Sequence, residues 1–350
     1  MRATGADTAP PPGPRGRQEW IAFTLGVLRL AEGIAFWLVA APLLSMLPSR
    51  IAYRAACLRG DFMFWSWPDK RDEIMSNLRQ VLGPELSEHE ARLMARDVFR
   101  TRTCTIIDLM LTRGQARPLG KLVEIRGREH LDAALAGGKG AILCTPHIGS
   151  YICAHSLIHA NGYPVTTIGR WWWHYPPGGF SVMLRMWDFV YARRVLRHRQ
   201  RPNIEPWPGR IGVAAQAAAA LRANEVVTIC SEAPPLDAER SRTIEVPFLG
   251  HQAGLLPGVV TLAQLTGAPV LMAFVHRSAD YRHQVLEISP PVPMDGGTAA
   301  AFGRCVAAME AAIRANPAEW DFWFEPGDVA TLGLLPATPP TQAVLEIGIP

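Results

Sequence analysis

The segment from Gly137 to Tyr151 constrains this chain more than any other. Ala141–Cys144 is a four-residue apolar run, introduced by Gly137, Gly138, Lys139 and Gly140 and followed almost at once by Pro146. An apolar run that short, with glycines before it and a proline after it, suits a buried strand, and the stretch from Tyr151 to His159 then reads as a helix. His147 is thereby set at the carboxyl end of a strand, where open α/β sheets place their ligand crevice. An imidazole there can accept a proton from an attacking hydroxyl or amine near neutral pH. A histidine merely satisfied by neighbouring backbone fits the same pattern, so the surrounding sequence has to decide.

That sequence alternates strand and helix. Val123–Gly127 alternates as a strand and Glu129–Ala136 follows as a helix; Tyr163–Arg170 is a strand after the His147 unit. Ile211–Ala223 is an alanine-rich helix, Glu225–Glu232 the next strand, with Glu232 closing it just before Pro234 and Pro235, and Val270–Val275 another buried strand. Strand, helix, strand order argues for a parallel sheet built by right-handed crossovers. Residues 51 to 115 read as helices. Asp72–Leu82 has helical apolar spacing, Gly83 and Pro84 stop it, and Ser87 to Glu90 open the next helix with an N-cap and an acidic first turn. Asp108 stands in that helix among Ile106, Ile107, Leu109 and Met110, where a capped or exposed position is the usual explanation and a functional one the alternative.

A chain of 350 residues can bury a sizeable core as one large domain. With 49% hydrophobic and 19% charged residues it is apolar for a freely soluble protein, which points to contact with lipid. Residues 1–18 carry Pro10, Pro11, Pro12 and Pro14 and read as a disordered leader. Residues 19–49 form a hydrophobic, membrane-associating segment, in which Arg29 and Glu32 are spaced to pair on one helix face. A spanning helix, a hydrophobic hairpin and an interfacial helix are all compatible with it. Residues 50–330 are the α/β domain and 331–350 a Pro-rich tail.

Three further features bear on function. Arg193, Arg194, Arg197, Arg199 and Arg201 could attract anionic headgroups, coenzyme A phosphates, an acidic carrier protein or RNA, and a solvated charged helix face explains them as well. Trp171, Trp172 and Trp173 cannot all face one core, so at least one lines a cleft or lies in a bilayer interface. Arg170, just before them, is a candidate for holding a phosphate or carboxyl group. The six cysteines include no C-x-x-C pair and read as reduced, mostly buried thiols, with packing the favoured role for Cys144. No P-loop, dinucleotide fingerprint or metal-ligand spacing is present, and no cofactor or metal is expected.

His147-Ile148-Gly149-Ser150-Tyr151-Ile152 resembles the H-x-G-N-W-E element of the bacterial lipid A lauroyl/myristoyl acyltransferase family, a branch of the lysophospholipid acyltransferase superfamily. The likeness continues through Glu232 near the family's acidic position, Val246-Pro247-Phe248-Leu249-Gly250, Leu262 to Val270, and the closing Asn316-Pro317-Ala318-Glu319-Trp320-Asp321-Phe322-Trp323. It covers roughly residues 20 to 330 in order. The departure is at Ile152, where the family's H-x4-E/D dyad has its acid.

The resemblance implies an α/β acyltransferase fold: a central mixed, mostly parallel sheet flanked by helices, behind an N-terminal membrane-associating helix. It implies His147 as general base, drawing an acyl group from acyl-CoA or an acyl-carrier protein to a hydroxyl or amine on a lipid or small-molecule acceptor, at the cytoplasmic face of the inner membrane. With Ile152 in the acid's place, the supporting role falls to Glu232, another acid, or the Ser150 or Tyr151 hydroxyl; Gly149, Ser150, Tyr151, Arg170 and Trp172 are the expected substrate-binding residues. The altered dyad suggests divergence toward specialised metabolism, with an amine acceptor and even an aminoacyl-tRNA donor. A different class of reading is a catalytically inactive relative that binds lipid or scaffolds a membrane complex. The oligomeric state is left open.

Overall fold

A computed structural model describes residues 16–111, 122–169, 212–233 and 237–324, together with 204, 235 and 332–334. Eight strands are described: β1 (Val123–Arg126), β2 (Ala141–Cys144), β3 (Val165–Ile168), β4 (Val226–Ile229), β5 (Ile244–Phe248), β6 (His251–Leu255), β7 (Val270–Arg277) and β8 (Gln284–Pro291). Six of them make one sheet in the order β1-β8-β7-β2-β4-β3, and β5-β6 is a separate antiparallel hairpin. All neighbours in the large sheet are parallel except β7 and β8, so the sheet is mixed and mostly parallel, as expected.

The central strand is β2. Its four side chains are completely buried, and it alternates between two apolar layers because successive side chains of a strand point to opposite faces. Ile142 and Cys144 join a core with Val227, Val270 and Met272, covered by α4 (Pro68–Leu82), α5 (Glu88–Leu111), α8 (Val213–Arg222), α9 (Gly258–Thr266) and α10 (Gly297–Ala315). Ala141 and Leu143 face the other way, onto Leu131 and Ala134 of α6 (Arg128–Ala136) and Ala154, Leu157 and Ile158 of α7 (Tyr151–Ala160). A strand buried on both faces reads as a continuous apolar run. The expected N-cap at α5 is completed as a capping box: the Ser87 backbone N–H donates to Glu90 at 2.9 Å, and the Glu90 N–H to the Ser87 hydroxyl at 3.2 Å.

The N-terminal region narrows one expectation and changes another. The helix runs from α1 (Arg17–Ala35) through a π-turn (Phe36–Ala40) into α2 (Ala41–Met46), but no helix of the described residues is long and apolar enough to cross a membrane. The Arg29–Glu32 pair on one helix face does not form. Glu32 accepts both guanidinium bonds of Arg59 on α3 (Ser49–Ser66), at 2.8 and 2.9 Å, and Arg29 lies over the Trp67 ring. Bidentate contact with a fixed, partly buried arginine outcompetes a pair between two mobile side chains on one exposed helix. These contacts tie α1 to the body while Trp20, Leu28, Leu43, Met46, Leu58 and Phe62 remain exposed.

Candidate active site

The site follows from the register of two parallel strands. β2 and β4 pair with Cys144 beside Ile229, and the ladder continues one step further through the Thr145 N–H to the Ile229 carbonyl at 2.9 Å. His147 lies three residues past Cys144 and Glu232 three past Ile229, so both leave the same sheet edge side by side. The His147 Nδ1 is 2.8 Å from Glu232 Oε1, and the His147 backbone N–H donates to the same oxygen. Glu232 is completely buried, and the imidazole retains 17% exposure, enough to be reached. The other Glu232 oxygen, Oε2, is buried and meets no donor among the described residues.

Aromatic rings flank the imidazole. Tyr151, the first residue of α7, meets it edge-on with centroids 4.4 Å apart, and Phe322 lies against it at 4.7 Å. Burial, reinforced by the nearby Asp321 charge, raises the Tyr151 phenol above its ordinary value, so it stays protonated. The chain after α10 wraps the His147 turn from behind. The Asp321 N–H donates to the His147 carbonyl at 2.9 Å, Ile148 pairs with Trp320, and the Gly149 N–H donates to the Glu319 carbonyl at 2.8 Å. Arg102 of α5 holds Asp321 through two contacts of 2.6 and 2.8 Å.

Gly149 is required by the backbone. It has φ +58°, and a Cβ built there would stand 1.9 Å from the Val275 carbonyl oxygen. Only glycine takes that left-handed conformation against a neighbouring strand without strain. Ser150 is completely buried, with its hydroxyl donated to Asp108. Of the residues singled out in the sequence, the structure brings His147, Glu232 and Tyr151 together and directs Ser150 into the protein. Arg170 and Trp172 lie outside the described residues, as do the rest of the tryptophan run and the arginine cluster. The side chain of Ile152 is also outside them; its backbone is in the first turn of α7.

The thiols near the site are poor nucleophiles. Burial pushes Cys144 and Cys230 well above the usual thiol range, so neither is a thiolate near neutral pH. Phe322, Asp321 and Glu319 were missed as site residues, although the closing aromatic motif carried the signal. Asp108, expected at a capped or exposed helix position with a functional role as the alternative, is completely buried. No group of three or more metal-ligating side chains occurs among the described residues.

The histidine–carboxylate pair lies at adjacent strand ends, where open α/β sheets place their ligand crevice. Comparison with known proteins identifies the family. Residues 22–326 match the family described as bacterial lipid A biosynthesis acyltransferase, and the chain belongs to that family. It is 28% identical over 264 residues to a phosphatidylinositol mannoside acyltransferase of Mycobacterium tuberculosis (strain CDC 1551 / Oshkosh), covering 71% of this chain and 74% of that protein. It is 24% identical over 254 residues to a lipid A biosynthesis acyltransferase of Haemophilus influenzae, covering 71% and 72%. The protein is an acyltransferase.

Proposed function

We propose that the chain transfers a fatty acyl group from a thioester, acyl-CoA or acyl-carrier protein, to a hydroxyl of a glycolipid acceptor, with His147 as general base and Glu232 as its partner. The observation that carries this is the 2.8 Å contact between His147 Nδ1 and the buried carboxylate of Glu232. With Nδ1–H donated to Glu232, the lone pair lies on Nε2. The acceptor O–H gives its proton to Nε2 as its oxygen bonds to the thioester carbonyl carbon. The tetrahedral intermediate then expels the thiolate as the C–S bond breaks, and the imidazolium returns the proton to sulfur. Glu232 stabilises the imidazolium while it exists.

The pairing bears on the choice of acceptor. An amine, and with it an aminoacyl-tRNA donor in specialised metabolism, was attractive because the dyad lacked its acid at Ile152. Glu232 supplies a carboxylate from β4, and a hydroxyl acceptor no longer asks more than the site can do. The glycolipid class is supported by the relatives' names, which specify phosphatidylinositol mannoside and lipid A. Docking on the cytoplasmic face of the inner membrane is the matching location. The exposed Trp20, Leu28, Leu43, Met46 and Phe62 favour interfacial binding of α1 to α3 over solvation.

The test is transfer of a labelled acyl chain from palmitoyl-CoA or an acyl-carrier protein to phosphatidylinositol mannoside, a lipid A precursor or an amine acceptor, with wild type and His147→Ala. Loss of transfer in a folded His147→Ala protein is expected. Retention of most activity would place the base elsewhere, and transfer to the amine alone would reverse the acceptor assignment.

A further inference from the structure

Behind the His147 turn, on the side away from Glu232, lies a second set of buried polar groups. Asp108 of α5 is completely buried and accepts from four side chains. Tyr53 of α3 and Gln284 of β8 donate to Oδ1, the latter at 2.8 Å, while Ser150 and Arg277 of β7 donate to Oδ2. The Arg277 guanidinium is almost wholly buried and also reaches the hydroxyls of Thr105 at 3.1 Å and Ser150 at 3.2 Å. Burial is the largest single influence and would depress that guanidinium; the charge and hydrogen bond of Asp108, together with Cys104 and Tyr53, outweigh it and keep the guanidinium firmly protonated. The Arg277 backbone N–H, in turn, donates to the Glu319 carboxylate, and the Glu319 carbonyl accepts the Gly149 N–H at 2.8 Å.

Arg277 therefore grips the turn twice. Its side chain, with Asp108, holds the Ser150 hydroxyl, and its backbone, through Glu319, holds the Gly149 amide. These are the two residues that separate the catalytic imidazole's neighbour Ile148 from the start of α7. A buried ion pair is a poor way to gain stability, since apolar replacements of similar volume are often neutral or stabilising. What it can supply is a single geometry, and this one is applied where the chain must take a left-handed turn against β7.

We propose that Asp108 and Arg277, acting through Ser150 and Glu319, are positioning residues for His147: they set the turn that aims its imidazole at Glu232. None of them touches the reacting atoms. The proposal rests on the reading of His147 and Glu232 as the catalytic pair, and it extends the site to α3, α5, β7 and β8.

Two variants of the full-length protein test it. Ser150→Ala removes one donor and leaves Asp108 paired with Arg277, Tyr53 and Gln284, so the fold is retained. Asp108→Leu combined with Arg277→Met removes both charges together. The first readout needs no substrate: the proton resonance of the His147 Nδ1–H bonded to Glu232, assigned by its disappearance in His147→Ala. In both variants it is expected to broaden or vanish; the melting temperature stays near that of wild type in Ser150→Ala and falls in the paired variant, where Tyr53 and Gln284 lose their acceptor. The second readout is transfer from palmitoyl-CoA, where kcat falls about 10-fold to 100-fold, as for a misplaced catalytic group. KM is expected to stay within about twofold, because bound substrate is not touched.

A paired variant that keeps both the resonance and kcat would overturn the proposal and leave the network a structural one. Should the paired variant fail to fold, Ser150→Ala decides by the same two readouts. A wild-type protein without the Nδ1–H resonance, or an active His147→Ala, would instead overturn the catalytic pair itself, and the positioning role with it.

Discussion

Replacing Glu232 by glutamine separates the charge of this carboxylate from its shape. Oε1 accepts from both the His147 backbone N–H and Nδ1–H. The amide must therefore present its oxygen to both donors, because its NH2 group would meet two N–H groups head-on. The tautomer of His147 is kept, and what is lost is the charge that faces the imidazolium. Two unit charges about 4 Å apart at an effective dielectric of about 20 attract by about 4 kcal/mol. Part of that is retained by the amide dipole, and about 1.4 kcal/mol corresponds to a tenfold change in rate, so kcat is expected to fall about 100-fold to 1,000-fold. The NH2 group takes the place of Oε2, which is buried without a donor among the described residues, and inherits no acceptor there. Leaving it unsatisfied costs about 1–3 kcal/mol, which a lowered melting temperature would register. Single-turnover transfer from radiolabelled acyl-CoA measures the chemical step directly. Turnover within threefold of wild type (a cost below about 1 kcal/mol) would refute the assignment of Glu232 as the imidazolium's partner.

Other perturbations follow from the same contacts. Gly149→Ala should cost about 1–3 kcal/mol for the left-handed backbone alone; with a Cβ 1.9 Å from the Val275 oxygen, both thermal stability and transfer should drop sharply. Burial alone would raise the Asp61 carboxyl, but hydrogen bonds from Arg96 and Arg100 hold it at about 2. A depressed carboxylate stabilises the fold above its ordinary pKa of about 4 and loses that contribution as pH falls through the folded value. The melting temperatures of wild type and Asp61→Asn should therefore differ most above pH ~4 and converge toward pH ~2. Removing residues 1–18 should leave sedimentation with anionic vesicles unchanged, whereas removing residues 1–47 should abolish it; equal binding by both truncations would exclude α1 and α2 as the docking layer.

Elements are legible in the sequence where local pattern and burial agree. Ala141–Cys144 is legible because a strand covered on both faces must be apolar throughout. Ser87 and Glu90 are legible as an N-cap and an acidic first turn because both signals lie within one helical turn. Glu232 could be picked out as an acid at a strand's end, but only the parallel register of β2 and β4 brings it to His147. The hairpin of β5 and β6 and the antiparallel β8 were not foreseen. The Pro247 and Gly254 positions weaken the strand signal in the hairpin, and β8 ends in Pro290 and Pro291. Asp108 reads as an exposed or capping carboxylate because its partners are remote in sequence, Arg277 lying 169 residues away. Glu32 misled for the reverse reason: a plausible local partner, Arg29, was passed over for Arg59, which offered a better-ordered one.

The position of the acid changes what Ile152 means. In the family pattern the carboxylate rides on the helix after the histidine, so the geometry of the pair depends on how that helix begins. Here the acid leaves β4, and the pair depends on a ladder in which Cys144 faces Ile229. A ladder buried on both faces has little freedom to slip, since a shift by one residue would turn its apolar side chains to the wrong layer. The same carboxylate oxygen also ties down the His147 backbone, so one group fixes both the chain and the ring. With that arrangement the helix position has no proton to manage, and an isoleucine there is compatible with a working base. On the proposed reading of Glu232 as the acid, the carboxylate comes from just beyond β4 and not from the start of α7, a placement that a motif written along the chain cannot express.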